Sequence, residues 1–280
     1  MSQPGVDRDD LLTRARSALL DALEALAEQR DAVVVIGAQA IYLRTGGVDV
    51  ALAEATKDSD LALDPRLLSD DPRVEQAMHH AGFLPGVSNQ PGAWVNAGGI
   101  PVDLMVPETL AGAGSPLTRG ARIPPHDRRA ARRARGLEAA VVDNSFLDVI
   151  ALDPADARRH SVRVAGPAAL VVAKLHKIAE RVGSLHRLND KDAHDIYRVL
   201  VAIETDELVT AFGVLLEDKV SADATDVALS HLAELFAAGP QALGATMAGR
   251  AEEGVGEPET VSRAASILAA DLVGRVSAGA

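Results

Sequence analysis

Ala55-Thr56-Lys57-Asp58-Ser59-Asp60-Leu61-Ala62-Leu63-Asp64-Pro65 is the stretch on which the fold turns. Side chains alternate along a strand, which puts Asp58 and Asp60 on one face and Ser59, Leu61 and Leu63 on the other. Two carboxylates on a shared face repel one another and resist ionising together unless a cation lies between them. The pair is therefore a candidate divalent-metal site for phosphoryl or nucleotidyl transfer. The alternative is a solvated edge strand.

Working outward, Ala32-Val33-Val34-Val35-Ile36 is a short β-branched run of the kind buried on both faces. Gly37 follows it directly and leads into Ala38–Arg44. The expected order is strand, glycine, helix. A glycine at that junction lets a phosphate approach the backbone, and the first helical amides offer unpaired donors. Many such turns use glycine for steric reasons alone. Before this strand, Arg8–Arg30 has apolar residues at helical spacing and reads as an amphipathic helix. Downstream, Pro72–His80 reads as a helix and Pro85–Gly99 as a hairpin or loop around the single tryptophan, Trp94. Ile100–Pro107 then reads as a strand with Val102, Leu104 and Val106 on one face and Asp103 on the other. Pairing of this strand beside Asp58–Leu63 would add Asp103 to the acidic surface, giving three carboxylates to hold metal and orient an attacking hydroxyl.

The chain has 280 residues, 48% of them hydrophobic, enough for one large or two ordinary domains. It contains no cysteine, which excludes disulfides, thiolate zinc sites and cysteine nucleophiles and fits a cytoplasmic protein. No apolar run has the length of a membrane span, and the charged opening does not resemble a signal peptide. The net charge of −12 argues against indiscriminate nucleic-acid binding. Against that background stands a basic block: Arg119, Arg122, His126, Arg128, Arg129, Arg132, Arg133 and Arg135. It suits either a grip on a phosphodiester backbone or triphosphate, or a solvated linker. Aromatics make up 2% of the chain, too few for a base-stacking platform.

Ala139–Asp143 and Phe146–Leu152 read as strands, with His160–Val164 as a third, and from Gly166 the pattern turns helical. The expected division is a core domain at 1–165 and a helical domain at 166–280. In the helix expected at Pro167–Val182, Lys174 falls inside the apolar arc of Leu170, Val171, Leu175, Ile178 and Val182. Either its stem snorkels past the core or its ammonium reaches into a cleft towards phosphate. In the next helix, near Asp190–Ile203, Asp192 lies on the buried stripe and Asp195 flanks it, while His194 is expected to point away. Asp190 and Asp192 also suit a simple capping role. Glu204–Ala280 reads as packed helices without evident chemistry.

Gly37-Ala38, Thr56-Lys57-Asp58-Ser59-Asp60, Asp103, Lys174-Leu175-His176 and Asn189–Ile196 together resemble the AbiEii/MenT group of nucleotidyltransferase-like toxins, within the DNA polymerase-β-type nucleotidyltransferase superfamily. The likeness covers about Val33–Val106 and Gly166–Leu200. It implies an α+β fold, with a mixed sheet, flanking helices and a mostly helical C-terminal domain. It further implies catalysis by Asp58, Asp60, Lys174 and Asp195, with Mg2+ or Mn2+ on Asp58, Asp60 and Asp103. A nucleoside triphosphate would be held by Gly37, Ala38, Thr56, Lys57 and Lys174. Nucleotides would pass to an RNA 3′ end, often of tRNA, in a cytoplasmic toxin paired with a cognate antitoxin. A Ser/Thr near Thr56 can be phosphorylated in that group. Two departures stand out: Ala38 replaces the usual second glycine or serine, and Glu54-Ala55 stand where a basic residue is common.

Rival readings come from other classes. His194-Asp195 with His160, His176 and His186 suggests a His-Asp metal phosphohydrolase, provided that those histidines converge. A non-catalytic binding module would keep the fold without the chemistry, and a small-molecule nucleotidyltransferase would use the same carboxylates on another hydroxyl.

Overall fold

Four consecutive β-branched residues, Val33–Ile36, form β1 and are buried on both faces, as a central strand must be. In this computed structural model the described residues are 8–46, 50, 58–86, 90–115 and 117–279. Thr56 and Lys57 lie outside them, as does Glu54-Ala55. The chain forms two compact units.

The first unit comprises Met1–Ala40, Glu54–Ala134 and Ser145–Val164. After β1 come β2 (Ser59–Leu63), β3 (Leu84–Pro85), β4 (Ala93–Val95), β5 (Pro101–Pro107), β6 (Arg132–Ala134), β7 (Asn144–Ile150) and β8 (Arg159–Ala165). They make one mixed sheet in the order β3-β4-β5-β2-β1-β8-β7, with β6 also paired to β5. β1 is antiparallel to β2 and parallel to β8, whereas β2 and β5 run parallel. On one face of the sheet Ser59, Leu61 and Leu63 are buried, and Ser59 Oγ donates to Ala15 O of helix α1 (Arg8–Ala25) at 2.8 Å. The same helix sends in Arg16, which is buried and donates to Gln39 Oε1 at 2.9 Å and Ile150 O at 2.8 Å. α1 is shorter than the spacing suggested, because a 3-10 turn, Ala27–Ala32, takes over before β1.

β1 runs straight into α2 (Gly37–Thr45), and α3 (Val74–His80) precedes the small β3–β4 hairpin. Trp94, in β4, is buried and donates Nε1 to Ala130 O at 2.9 Å.

The second unit comprises Ile41–Ala53, Arg135–Asn144 and Ala165–Ala280. Its helices are α4 (Pro167–Ala179), α5 (Asp190–Ala202), α6 (Thr205–Glu217), α7 (Ala222–Leu232), α8 (Leu243–Arg250) and α9 (Pro258–Gly279), with one π-helical turn at Ala233–Ala237. Pro167 occupies the first turn of α4, where its missing N–H costs nothing. The helix stops at Ala179, and Val182 is exposed beyond it.

Ala139–Asp143 is not a strand. It is a turn whose end serves α4: Asp143 O accepts from Gly166 N at 2.8 Å and Asp143 Oδ2 accepts from Ala169 N at 3.1 Å. A Cβ on Gly166 would collide with that carboxylate. An apolar run bounded by turn residues looks the same whether it is a buried strand or a buried turn.

The architecture is thus α+β with a mixed sheet and a helical C-terminal region. Among the described residues no helix is long and apolar enough to cross a membrane.

Gly37 decides the junction between sheet and helix. Its φ is +69°, and a Cβ there would overlap Asp60 Oδ2. Left-handed backbone alone costs an L-residue about 1–2 kcal/mol, and the clash adds to it. Gly37→Ala should lower the free energy of unfolding measured in urea by at least that amount, with a lower midpoint. An unchanged midpoint would mean that Asp60 swings away from the backbone freely.

Candidate active site

The parallel register of β2 and β5 sets Ser59 opposite Val102, Asp60 opposite Asp103 and Leu61 opposite Leu104. Adjacent parallel strands lie about 4.8 Å apart, so the Asp60 and Asp103 side chains rise side by side from one face. Both are half-buried. Asp58 lies immediately before β2 and is exposed.

Gly37 closes one side of this surface. Its lack of a side chain leaves room for Asp60 Oδ2, so part of the space expected for a phosphate at Gly37 is used by the protein's own carboxylate. Ala38, the next residue of α2, is buried. On the other side Arg132, in β6, donates to Asp103 Oδ2 at 2.9 Å. That partner for Asp103 was not foreseen, because Arg132 reads in the sequence only as one member of a basic block.

Among the described residues no three His, Cys, Asp or Glu side chains form a ready-made metal site. Mg2+ does not demand one, being held in many phosphoryl-transfer sites by one or two carboxylates, with water and substrate phosphates completing its shell. Asp60 and Asp103 supply that number of oxygen ligands, whereas Asp58, exposed just before β2, does not join them in a group of three.

The second unit places its own expected residues differently. Lys174 is buried in α4, and its ammonium donates to Asp192 Oδ1 at 2.7 Å and to Asp195 Oδ2 at 2.6 Å, both from α5. Lys177 reaches Asp192 at 2.9 Å, Arg181 at 3.6 Å, and Lys191 reaches Asp195 at 3.7 Å. Two buried carboxylates thus organise four cationic side chains. Asp192, set down above as a possible cap, is a central member. The signal was its place on the buried stripe of α5, which a capping aspartate does not need. The actual N-cap is Asn189, whose side chain accepts from Lys191 N at 3.0 Å.

Burial works to lower the Lys174 pKa, but Asp195 and Asp192, by charge and hydrogen bond, override it and hold the ammonium well above its ordinary range. For Asp192 burial works upward, and the attraction of Lys174 and Lys177 prevails, holding the carboxyl well below the usual carboxylate range.

His194 does not point away to solvent. It is buried, with Nε2 2.8 Å from Glu252 Oε1, because α5 is covered on nearly every side. His176 donates Nε2 to Ala224 O at 2.7 Å, and His160 lies 3.2 Å from Glu24 in the first unit. Each of these three histidines thus has a different partner, an arrangement unlike the shared metal ligation of a His-Asp phosphohydrolase.

Removing one member of the Lys174 network leaves opposite charges buried, at a cost of about 3–5 kcal/mol. Lys174→Met should show a loss on the order of 3 kcal/mol in urea unfolding at pH 7. Because folded Asp192 binds its proton less tightly than the unfolded chain does, its contribution is complete above a pH of about 4 and shrinks as pH falls below that. The raised Lys174 contributes fully below about pH 10 and loses ground only as pH rises further. Stability from the network should therefore be level from about pH 5 to 9 and fall in acid, and Asp192→Asn should flatten the acid limb. An acid limb unchanged in Asp192→Asn would assign it to other carboxylates.

No family model, curated protein or solved structure matches this chain, which leaves the geometry of these residues to carry the functional reading.

Proposed function

We propose that this protein is a metal-dependent nucleotidyltransferase that moves a nucleotide from a nucleoside triphosphate to an RNA, with the 3′ end of tRNA as the acceptor that its motif pattern favours. The observation that carries this reading is the pairing of Asp60 with Asp103 across parallel strands, with the Gly37 turn against Asp60. A polymerase-β-type core uses the same elements: a mixed sheet, an acidic strand pair and a glycine turn into a helix.

In the proposed reaction the acceptor 3′-oxygen bonds to the α-phosphorus, the α–β phosphoanhydride breaks, and pyrophosphate leaves with the electron pair. Asp60 and Asp103, with Asp58 as the further expected ligand, would hold the divalent cation, which would supply charge neutralisation at the α-phosphate and the leaving group. Asp103, oriented by Arg132, receives the acceptor hydroxyl in hydrogen-bonding geometry and accepts its proton. Gly37 and Ala38, at the start of α2, are the residues expected to bring backbone to the phosphates, with Asp60 occupying part of that space. Lys174 is expected to neutralise phosphate and Asp195 to orient the lysine; their ion pair within the second unit supports the orienting role. Thr56 and Lys57, expected at the nucleotide, lie outside the described residues. In that reading the protein would be the toxin of a cytoplasmic pair with a cognate antitoxin.

Purified protein incubated with total RNA, Mg2+ and each labelled nucleoside triphosphate in turn should label a discrete RNA band. Asp58 is exposed, so Asp58→Asn should leave the melting temperature nearly unchanged while transfer falls at least about 100-fold, since metal neutralisation is worth several kcal/mol. Near-parent turnover in Asp58→Asn would remove that carboxylate from the site. No labelled RNA with any of the four triphosphates would sink the reading.

A further inference from the structure

Six of the eight residues of the basic block fall into two groups with different work. Arg132 serves Asp103, and the Arg133 guanidinium is held by the carbonyls of Gly112 at 2.7 Å, Ala111 at 3.1 Å and Glu108 at 3.3 Å. These two belong to the architecture of the first unit. Arg119, Arg122, Arg128 and Arg129 instead line one open cavity of about 290 Å3, with Pro91 and Leu117 on its walls. No Asp or Glu lies among its described lining residues, and Arg119, Arg122 and Arg128 have no salt bridge among the described residues. In a chain of net charge −12, four guanidinium groups around one hollow are a local reversal of sign.

The hollow is a built one. Ala121 N donates to Ala131 O at 2.9 Å, Arg133 N to Arg119 O at 2.8 Å, Gly92 N to Arg129 O at 2.8 Å, and Trp94 closes the set through Ala130 O. Gly120 bridges Arg132, and a Cβ at Gly120 would strike Arg128 O. Backbone fixed in this way presents its arginines with little ordering cost on binding. Asp127, the acidic residue within the block, uses Oδ1 to accept from Arg129 N at 2.7 Å.

We infer that this cavity is a binding site for consecutive phosphates of a single-stranded RNA, separate in its residues from the carboxylate site. Guanidinium forks match phosphate oxygens in geometry and charge. Leu117, 87% exposed on the rim, and Pro91 give a ribose or base an apolar surface, which a bare triphosphate does not need. With no aromatic side chain in the lining, binding should be tolerant of sequence. The choice of RNA among phosphodiesters rests on the nucleotidyltransferase reading, whereas the binding of a phosphate chain does not.

The test is fluorescence anisotropy with the full chain and an end-labelled 12-nucleotide RNA, in EDTA and without any triphosphate, so that it is independent of catalysis. With four phosphate contacts, affinity should fall about 50-fold between 50 and 200 mM salt, at roughly 0.7 of a log unit per contact. In Arg119→Ala/Arg128→Ala the same salt step should cost only about sevenfold. Arg119→Lys/Arg128→Lys should keep the steep dependence. Arg133→Ala should lower the unfolding midpoint and leave the salt dependence steep, which separates a folding effect from a binding one. An unchanged dependence in the double alanine variant would overturn the inference. So would inorganic tripolyphosphate displacing the RNA at equal molar concentration, since that would mark a triphosphate pocket. Normal RNA binding that the arginine variants weaken, in a protein that transfers no nucleotide, would uphold this site and reject the nucleotidyltransferase reading.

Discussion

The register between β2 and β5 is the constraint on which the acidic surface depends. A strand's side chains have a period of two, so a slip of one residue would send Asp103 under the sheet and bring Val102 or Leu104 up beside Asp60. Several contacts fix the register from different directions. Leu61, Leu63, Val102 and Leu104 are all fully buried, so a slip would expose apolar area worth about 1.5–3 kcal/mol per side chain. Ser59 is tied to α1 through Ala15 O, and Asp60 is seated against the bare backbone of Gly37. The carboxylates are held where they repel each other by apolar packing on the opposite face of the same two strands.

That part of the site was legible in the sequence because its signals were local and periodic. Alternation set Asp60 on the face opposite Ser59, Leu61 and Leu63, the β-branched run gave β1, and the glycine after it marked a sharp strand-to-helix turn. What stayed hidden was long-range pairing. Arg132 reads as one arginine among many until β6 is seen beside β5. The Asp143 contact with the start of α4 joins residues 26 positions apart, and no local pattern announces it. His194 was misplaced for a related reason: helical periodicity finds one apolar arc, but α5 is covered nearly all round and satisfies its off-arc polar residues with distant partners such as Glu252.

The two clusters of charge are built on opposite principles. In the first unit, carboxylates stand half-exposed and the nearby cation, Arg132, contacts one of them. In the second, Asp192 and Asp195 are buried around Lys174, with Lys177, Arg181 and Lys191 reaching in from the edge, and loss of a buried member leaves an uncompensated charge. A half-exposed acidic pair tolerates a changing partner, as a site that binds and releases a charged substrate must. A sealed network favours a single arrangement and fixes how α4 and α5 pack. Arg198 extends the same theme within that unit, donating to Thr45 Oγ1 at 2.8 Å, Gly46 O at 3.1 Å and Val50 O at 2.8 Å and so anchoring the end of α2 to α5.

The scarcity of aromatic residues has a practical side. The only tryptophan, Trp94, belongs to the sheet-bearing unit, while both tyrosines, Tyr42 and Tyr197, belong to the helical one. Excitation at the red edge of the absorption band therefore reports on the sheet-bearing unit alone, and helical ellipticity is weighted towards the other. The chain carries its own pair of optical labels. Whether its two units melt in one cooperative step or two is readable by overlaying two spectroscopic transitions, without any introduced dye.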